Sequence, residues 1–454
     1  MLAHAGVGMP PMLTKGMTMK NYLIPSFALI SIGFAPFTQA TNGYQLTGIG
    51  SYEESLAGAV TANPGSAMTA ISNPAGMARI GKRADFSLEM FMPDRFVDFT
   101  GQGGDKSYSA AKQYGVPALG WTAPVDDQDD DVYFGGGMYG TSGMGADYGL
   151  MPFSAAGGGN PAMFFEGYSS IQFWQMAPTL AWNVSKQLTV GGSLNIDYQS
   201  VALMQKFTAD AVVVDGVPDM TVLNLDLSRT AQAFGLGLSL GALYDVNDQL
   251  TLGFSYKSKQ EFPDMEYQLG YGDIQGNAGF GMTTGCPAEY CPAGLYKLQL
   301  DFPAMMAVGI AYSPIEALTI SLDVKKIQWS DTLDVLTITG PNGMRLDMAS
   351  GWADQTVVAL GVEYAVNQHL RLRMGFNQAD APIDEADVDN NLVLPATSKK
   401  HMGLGGDWRM SKFWDIGFHY SKASQNTLDT SNPMSRASIG LEIVTLGINL
   451  GYRF

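Results

Sequence analysis

The stretch that decides the fold is Val444-Thr445-Leu446-Gly447-Ile448-Asn449-Leu450-Gly451-Tyr452-Arg453-Phe454. Read in steps of two, one face is Val444, Leu446, Ile448, Leu450, Tyr452 and Phe454, and the other is Thr445, Gly447, Asn449, Gly451 and Arg453. Successive side chains of a strand point to opposite faces, so this alternation is a strand with one apolar side. The pattern recurs upstream. Leu370, Leu372, Met374 and Phe376 oppose Arg371, Arg373, Gly375 and Asn377; Leu250, Leu252, Phe254 and Tyr256 oppose Thr251, Gly253, Ser255 and Lys257. Residues 188 to 198 and 234 to 244 alternate in the same way. Such strands run about 9 to 11 residues, enough to cross a bilayer at a tilt.

The connections set the topology. Short polar joints fall near Asp126 to Asp131, Val184 to Gln187, Asp245 to Asp248, Ser313 to Glu316, Val366 to Gln368 and Met410 to Lys412. Long segments lie between them, near 100–113, 141–170, 205–229, 261–294, 339–351, 378–397 and 424–436. Six short turns alternating with seven long loops predict fourteen antiparallel strands with both ends on the short-turn side, the pattern of a transmembrane β-barrel of the Gram-negative outer membrane. Hydrocarbon offers no partner to an open sheet edge, so the strands must close on themselves. Tyr244, Tyr256, Trp329, Trp352, Trp408, Trp414 and Phe454 are placed to form interfacial girdles.

Composition agrees with an all-β membrane protein. Of 454 residues 46% are apolar, yet only 15% are charged, against about 25% in ordinary soluble chains. Gly is 54 residues, an excess that suits the polar half of each strand. The formal charge of −17 excludes a nucleic-acid partner, which phosphate binding would match with surplus Lys and Arg. No segment offers about 20 consecutive strongly apolar residues beyond the leader, so no transmembrane helix is expected.

Residues 1–40 read as a secretory signal, with Lys20, an apolar run from Tyr22 to Phe37, and cleavage after Ala40. The stretch before Lys20 is long for an n-region, and Met17 or Met19 would start a conventional one. Export fixes an oxidising compartment, where Cys286 and Cys291 are expected to close a local disulfide. Two cysteines with no His nearby do not make a metal site, and neither metal nor cofactor is expected.

Residues 41–83 do not alternate. They are rich in Ala, Gly and Ser and are interrupted by Asn63-Pro64 and Asn73-Pro74-Ala75. Small residues permit close packing and Asn-Pro steps start turns. A compact plug inside the barrel of residues 84–454 is the expected arrangement, a loose periplasmic tail the alternative.

Several motifs carry a family resemblance: Thr41-Asn42-Gly43-Tyr44, Asn73-Pro74-Ala75-Gly76-Met77, Met92-Pro93-Asp94-Arg95, and Gly351-Trp352-Ala353-Asp354-Gln355 followed by Leu360-Gly361-Val362-Glu363-Tyr364, with a terminal Phe454. With these the chain resembles the FadL family of outer-membrane transporters of long-chain fatty acids and hydrocarbons, including its TodX-like branch. The resemblance spans the mature chain. It implies a 14-stranded barrel plugged by an N-terminal hatch, capture of an apolar ligand by external loops, a lumen site, and sideways exit at a kinked third strand. The function so implied is passive uptake, not catalysis. The alternative is a general porin for small polar solutes, which steady ion conductance would reveal.

A long-chain ligand gains about 0.8 kcal/mol per CH₂ on leaving water, so a lateral opening into the bilayer is the suitable exit. Such an opening needs a break in strand pairing, which Gly permits. The third strand is expected at Val132 to Gly140, with the kink at Gly135, Gly136 and Gly137 and with Asn73, Pro74 and Ala75 close by. Relief of crowding against the plug would also account for these glycines. Phe153, Met163, Phe164, Phe165, Phe262, Met265, Phe280 and Met282 are candidates for an adaptable apolar capture surface in the long loops. Lys257, Lys325, Arg371 and Arg373 fall on inward faces and could meet a ligand carboxylate, or pair with lumen acids such as Asp197 and Asp323. Expected partners are the hydrophobic ligand, outer-membrane lipid and lipopolysaccharide, and the barrel-assembly machinery through Phe454, with the barrel itself a monomer. Gly237-Leu238-Ser239-Leu240-Gly241 matches a hydrolase elbow but lies within an alternating strand, so Ser239 is not read as catalytic. His419, on an inward face, is a weak candidate.

Overall fold

A computed structural model of the chain describes residues 42–126, 128–155, 162–209, 220–275, 281–284 and 291–454. Fourteen long strands form one ring: β1 Arg83–Asp98, β2 Tyr114–Asp126, β3 Asp129–Ser154, β4 Met163–Met176 resuming at Thr179–Asn183, β5 Leu188–Ala209, β6 Met220–Asn247, β7 Leu250–Lys257, β8 Met305–Ile315, β9 Leu318–Ile327, β10 Gln355–Ala365, β11 Leu370–Gln378, β12 Lys400–Arg409, β13 Trp414–Asp429 and β14 Ser438–Arg453. Each pairs antiparallel with the next, and β14 returns to β1 from Arg83↔Arg453 to Asp98↔Ser438. Closure leaves the sheet with no outer edge, as hydrocarbon requires.

Alternation places the apolar side outward. Phe86, Leu88 and Met90 of β1 and Leu446, Ile448 and Leu450 of β14 are exposed on the wall, while Asp85, Ser87 and Glu89 are buried toward the lumen. Toward the long-loop end the outward positions turn polar at Asp94, Glu442 and Lys422, and the last two form an ion pair of 2.6 Å. This change marks the upper limit of the apolar band.

Two features of the strand plan differ from the sequence reading. β3 and β4 run through most of 141–170, and β5 and β6 through most of 205–229, which alternation alone had marked as loops. Above the apolar band the two faces exchange character, as where Leu223, Leu225 and Leu227 of β6 are buried inward and Asn224, Asp226 and Ser228 lie outward, so the lipid-facing pattern ends although the ladder continues. Trp329 and Trp352, expected in the girdles, are instead buried at 0% and 1% exposure. Their indole N–H groups donate to Gln355 Oε1 (2.8 Å) and Asn391 Oδ1 (2.9 Å), which makes interior placement affordable. Tyr244, Tyr256, Trp408, Trp414 and Phe454 do face outward.

The long-loop end is closed by a second sheet of five short strands, in the order Met265–Leu269, Gly294–Leu298, Val335–Thr339, Arg345–Ala349 and Gly281–Thr284. Beneath it lies a large apolar core that includes Phe302, Trp329 and Trp352. Cys291 is buried and disulfide-bonded, while Cys286 lies outside the described residues.

Residues 42–82 carry three short helices, α1 Gly50–Ser55, α2 Thr69–Ser72 and α3 Met77–Ile80, and are almost wholly buried. α1 packs against β1 and β11 to β14, whereas the Pro74–Gly76 turn packs against β4, β5 and β6 across the ring. A segment that touches opposite walls at once lies within the lumen.

Candidate functional site

The lumen segment, called the hatch below, is held by buried polar groups from the wall. Asp323 of β9 accepts the backbone N–H of Val60 (3.0 Å) and Thr61 (2.9 Å), and Lys325 donates to Gly58 O (2.5 Å). Asp85 of β1 accepts from Ala67 N (2.8 Å). Within the hatch, Glu53 accepts from Ile49 N and Ser72 Oγ, and Glu54 from Gly48 N and, across to β13, Ser421 Oγ. Burial raises both carboxyl groups to about 7, against the hydrogen bonds that lower them. His419 is inward as expected and sits 3.1 Å from Ser51 Oγ and 3.2 Å from Thr445 Oγ1.

Asn73 starts the Pro74–Gly76 turn. It is extended, as a residue before proline must be, and its Oδ1 accepts from Ala75 N (3.2 Å). Its Nδ2 donates to Thr61 O (2.7 Å) within the hatch and to Ala242 O (3.2 Å) of β6. The approach requires Gly at two wall positions: a Cβ on Gly241 would lie 2.0 Å from Asn73 Oδ1, and one on Gly191 2.5 Å from Ala75 N. The Asn-Pro-Ala step therefore docks on β5 and β6. This corrects its expected place beside Gly135–Gly137, where Met77 is the hatch residue that makes contact.

The third strand distorts at these glycines, but it parts from β2 beyond them. Gly136 has φ +123°, a conformation L side chains rarely adopt, and β4 is interrupted opposite it at Ala177-Pro178. At Gly135–Gly137 the ladder to β2 is continuous, while on the other side β4 leaves at Gly135↔Thr179 and rejoins through Ala177 N to Gly137 O (3.1 Å). The ladder to β2 ends at Ala118↔Tyr139, and the register with β4 shifts between Gly140 and Ser142. Past that point β2 continues to Tyr114 on β1 alone, and β3 turns to the hatch. Leu46 N donates to Thr141 O and Gly143 N to Tyr44 O, each 3.1 Å, around a Gln45–Ser142 bridge. The edge that β2 abandons is thus satisfied from inside the barrel.

A cavity of about 170 Å³ fills the divergence. Tyr114 and Val116 of β2, Met144 of β3, Phe173 and Trp174 of β4 and Leu46 of the hatch are among its walls. Its level is fixed by Met90, which pairs with Gly115 on one side and Leu446 on the other, inside the apolar band. Arg95 also lines it, a residue that inward-face reading had not singled out because Pro93 precedes it and the strand's alternation breaks there.

The loop candidates do not form an open surface. Phe165 is fully buried against Phe99 (5.4 Å between rings) and Phe207 (5.2 Å), Phe153 packs on the same two rings, and Phe262 and Met265 are buried in the core under the lid sheet. Met163 and Phe164 are half-buried. Apolar side chains this close bury one another rather than remain wet. Phe280 and the side chain of Met282 lie outside the described residues. Sequence reasoning missed Tyr44, whose ring sits 4.9 Å from Trp329 and 5.9 Å from Trp352 and ties the hatch to the lid core. The inward cations are engaged: Arg373 pairs with Glu363 (2.5 Å) and Asp407 and lies over Tyr52, Arg371 is 3.4 Å from Glu363, and Lys257 donates to Gln175 Oε1 (2.8 Å) between Phe173 and Phe302. Ser239 sits in β6, hydrogen-bonded to Asn195 of β5.

Residues 34–454 match the family model described as outer membrane protein transport protein (OMPP1/FadL/TodX). The chain belongs to this family. It is an outer-membrane transport protein and not an enzyme. Among solved structures, this FadL/TodX family member resembles a Pseudomonas aeruginosa FadL homologue at 17% identity and TM-score 0.69, covering 91% of this chain and 100% of the other. It resembles the Pseudomonas putida toluene transporter TodX at 20% and 0.66 and the Ralstonia pickettii toluene transporter TbuX at 20% and 0.65, each covering 90% of this chain and 99% of the other. At these identities the likeness carries the fold. No curated protein matches the chain at a significant level.

Proposed function

We propose that the protein admits small hydrophobic compounds through the outer membrane, single-ring aromatics foremost, and releases them sideways into the bilayer between β2 and β3. The observation that carries this reading is the cavity in the divergence of those strands, at the level of the apolar band. Its volume of about 170 Å³ compares with the roughly 150 Å³ of an engineered apolar cavity that takes up benzene. A second apolar hollow, bounded by the exposed Leu88, Met90, Phe418 and Leu446, shares Tyr114 and Gly115 with it and so adjoins it on the lipid side. The toluene transporters among the similar structures agree in ligand size. A water-filled pore is a poor route for such molecules, and the hatch occupies the lumen that a porin would leave open.

A reversible bridge tests the route. A Cβ on Gly140 would lie 2.9 Å from Val116 Cγ1, close enough for cysteines at the two positions to join. Oxidised Val116→Cys/Gly140→Cys protein should lose uptake of radiolabelled toluene into cells and regain it on reduction. Uptake that is the same in both redox states refutes exit between β2 and β3.

A further inference from the structure

Two buried arginines of the barrel wall are matched by acids. Arg83 pairs with Asp85 (2.6 Å) and Asp415 (2.9 Å), and Arg373 with Glu363 and Asp407. Arg95 differs: it is 3% exposed, lies 5.8 Å over the Tyr114 ring, and meets the backbone carbonyls of Gly145 and Ala111 and the side chain of Tyr114, with no carboxylate pairing to it among the described residues. A buried charge without a counter-charge is costly, and both carbonyls are met by the same guanidinium nitrogen, Nη1. The residue is also one wall of the cavity between β2 and β3, whose lining is mainly apolar and aromatic, with Phe91, Val116, Phe173 and Trp174 beside the uncharged Ser170 and Gln172, and which has no second charged group. A cavity the size of one ring, apolar along its body and cationic at one end, matches a ring that carries an anion at one end.

We propose that Arg95 is a specificity-determining residue for arene carboxylates, holding the carboxylate of a single-ring acid in this cavity while the ring lies among Phe91, Val116 and Phe173. The proposal rests on the cavity being the ligand path and narrows the ligand from any small hydrophobe to one with an anionic head. The planar guanidinium fork fits a carboxylate in a bidentate manner, and the surrounding low-polarity wall strengthens that contact. A neutral hydrocarbon of the same shape would fill the cavity and leave the charge unmatched.

The test uses the full-length protein in detergent and titration calorimetry with two probes of equal outline, para-toluate and para-xylene. Wild type should bind para-toluate the more tightly. Arg95→Met should cut the ratio of para-toluate to para-xylene affinity by about tenfold or more, the loss of a charge-assisted hydrogen bond. Arg95→Lys should keep part of the preference, since it retains the charge without the fork, and it serves if the Met variant does not fold. An unchanged affinity ratio in both variants overturns the proposal. Val116→Trp, which fills the cavity, separates the two levels of inference. If it leaves para-xylene binding intact, the cavity is not the ligand path and both readings fall. If it abolishes para-xylene binding but wild type shows no preference for para-toluate, the carboxylate assignment alone falls.

Discussion

Asn73→Ala should loosen the hatch without touching the barrel, and the size of the effect can be worked from three hydrogen bonds. The side chain donates to Thr61 O (2.7 Å) and Ala242 O (3.2 Å) and accepts from Ala75 N (3.2 Å). Each bond contributes about 1 kcal/mol net, and partners left buried and unpaired keep the loss from being smaller. The total is about 3 kcal/mol, and since about 1.4 kcal/mol is a factor of ten, the locally opened state should rise about a hundredfold. Asn63→Ala provides the scale: its side chain makes one bond, Nδ2 to Ser321 Oγ at 3.1 Å, so about 1 kcal/mol and a roughly fivefold rise are expected. Hydrogen exchange of the amides from Thr61 to Met77, read by mass spectrometry on purified protein, measures both. Equal acceleration in the two variants, or a change below about threefold in Asn73→Ala, would refute the claim that this step is the hatch's main latch.

Hatch docking should weaken as pH rises from about 4.5 to about 7, because the docked hatch keeps Glu53 and Glu54 protonated up to about 7 while the undocked segment releases those protons near the ordinary carboxyl value. Protease sensitivity of the hatch should therefore be lowest near pH 4.5 and level off above neutrality, and Glu53→Gln with Glu54→Gln should flatten the profile; a sensitivity that falls with pH contradicts the sign. Gly241→Ala places a methyl group where Asn73 Oδ1 now lies, so the hatch must shift and ion conductance in planar bilayers should increase, whereas Leu240→Ala on the outward face should leave conductance as it was. Asp323→Ala removes the acceptor of the Val60 and Thr61 amides and leaves Lys325 without its neighbour, and accelerated exchange confined to residues near Gly58 to Thr61 is the expected readout.

Strand number, orientation and closure are legible in the chain because they depend on a local rule: period-two alternation between residues such as Leu446 and Gly447, repeated, with short turns at one end. The inward glycines were legible as a class for the same reason. Their individual tasks were not. Gly135–Gly137 look like the place where a strand gives way, yet Gly136 turns the chain against Ala177 while its neighbours stay paired, and the ladder parts further on, where β3 trades β2 for the hatch residues Tyr44 to Leu46. Asn73-Pro74-Ala75 could be recognised as a motif, but its seat on Gly191 and Gly241 depends on walls about 115 to 170 residues away in sequence. The loop aromatics illustrate the same limit, since Phe165 and Phe262 read equally well as a capture surface or as core until Phe99 and Phe207 pack on the first and Phe173 on the second.

What the sequence by itself determined, then, is the barrel, because each strand's two faces are written in adjacent residues and membrane closure follows from unsatisfied edges. What only the tertiary structure decided is the site: which strands part, that the lumen cations Lys325 and Arg373 are already engaged, and that Arg95 stands buried at a one-ring cavity with no carboxylate paired to it among the described residues. A local pattern records which way a side chain points. Whether a charge or an edge finds a partner depends on segments distant in the chain, and that is settled only when the hatch and the wall meet.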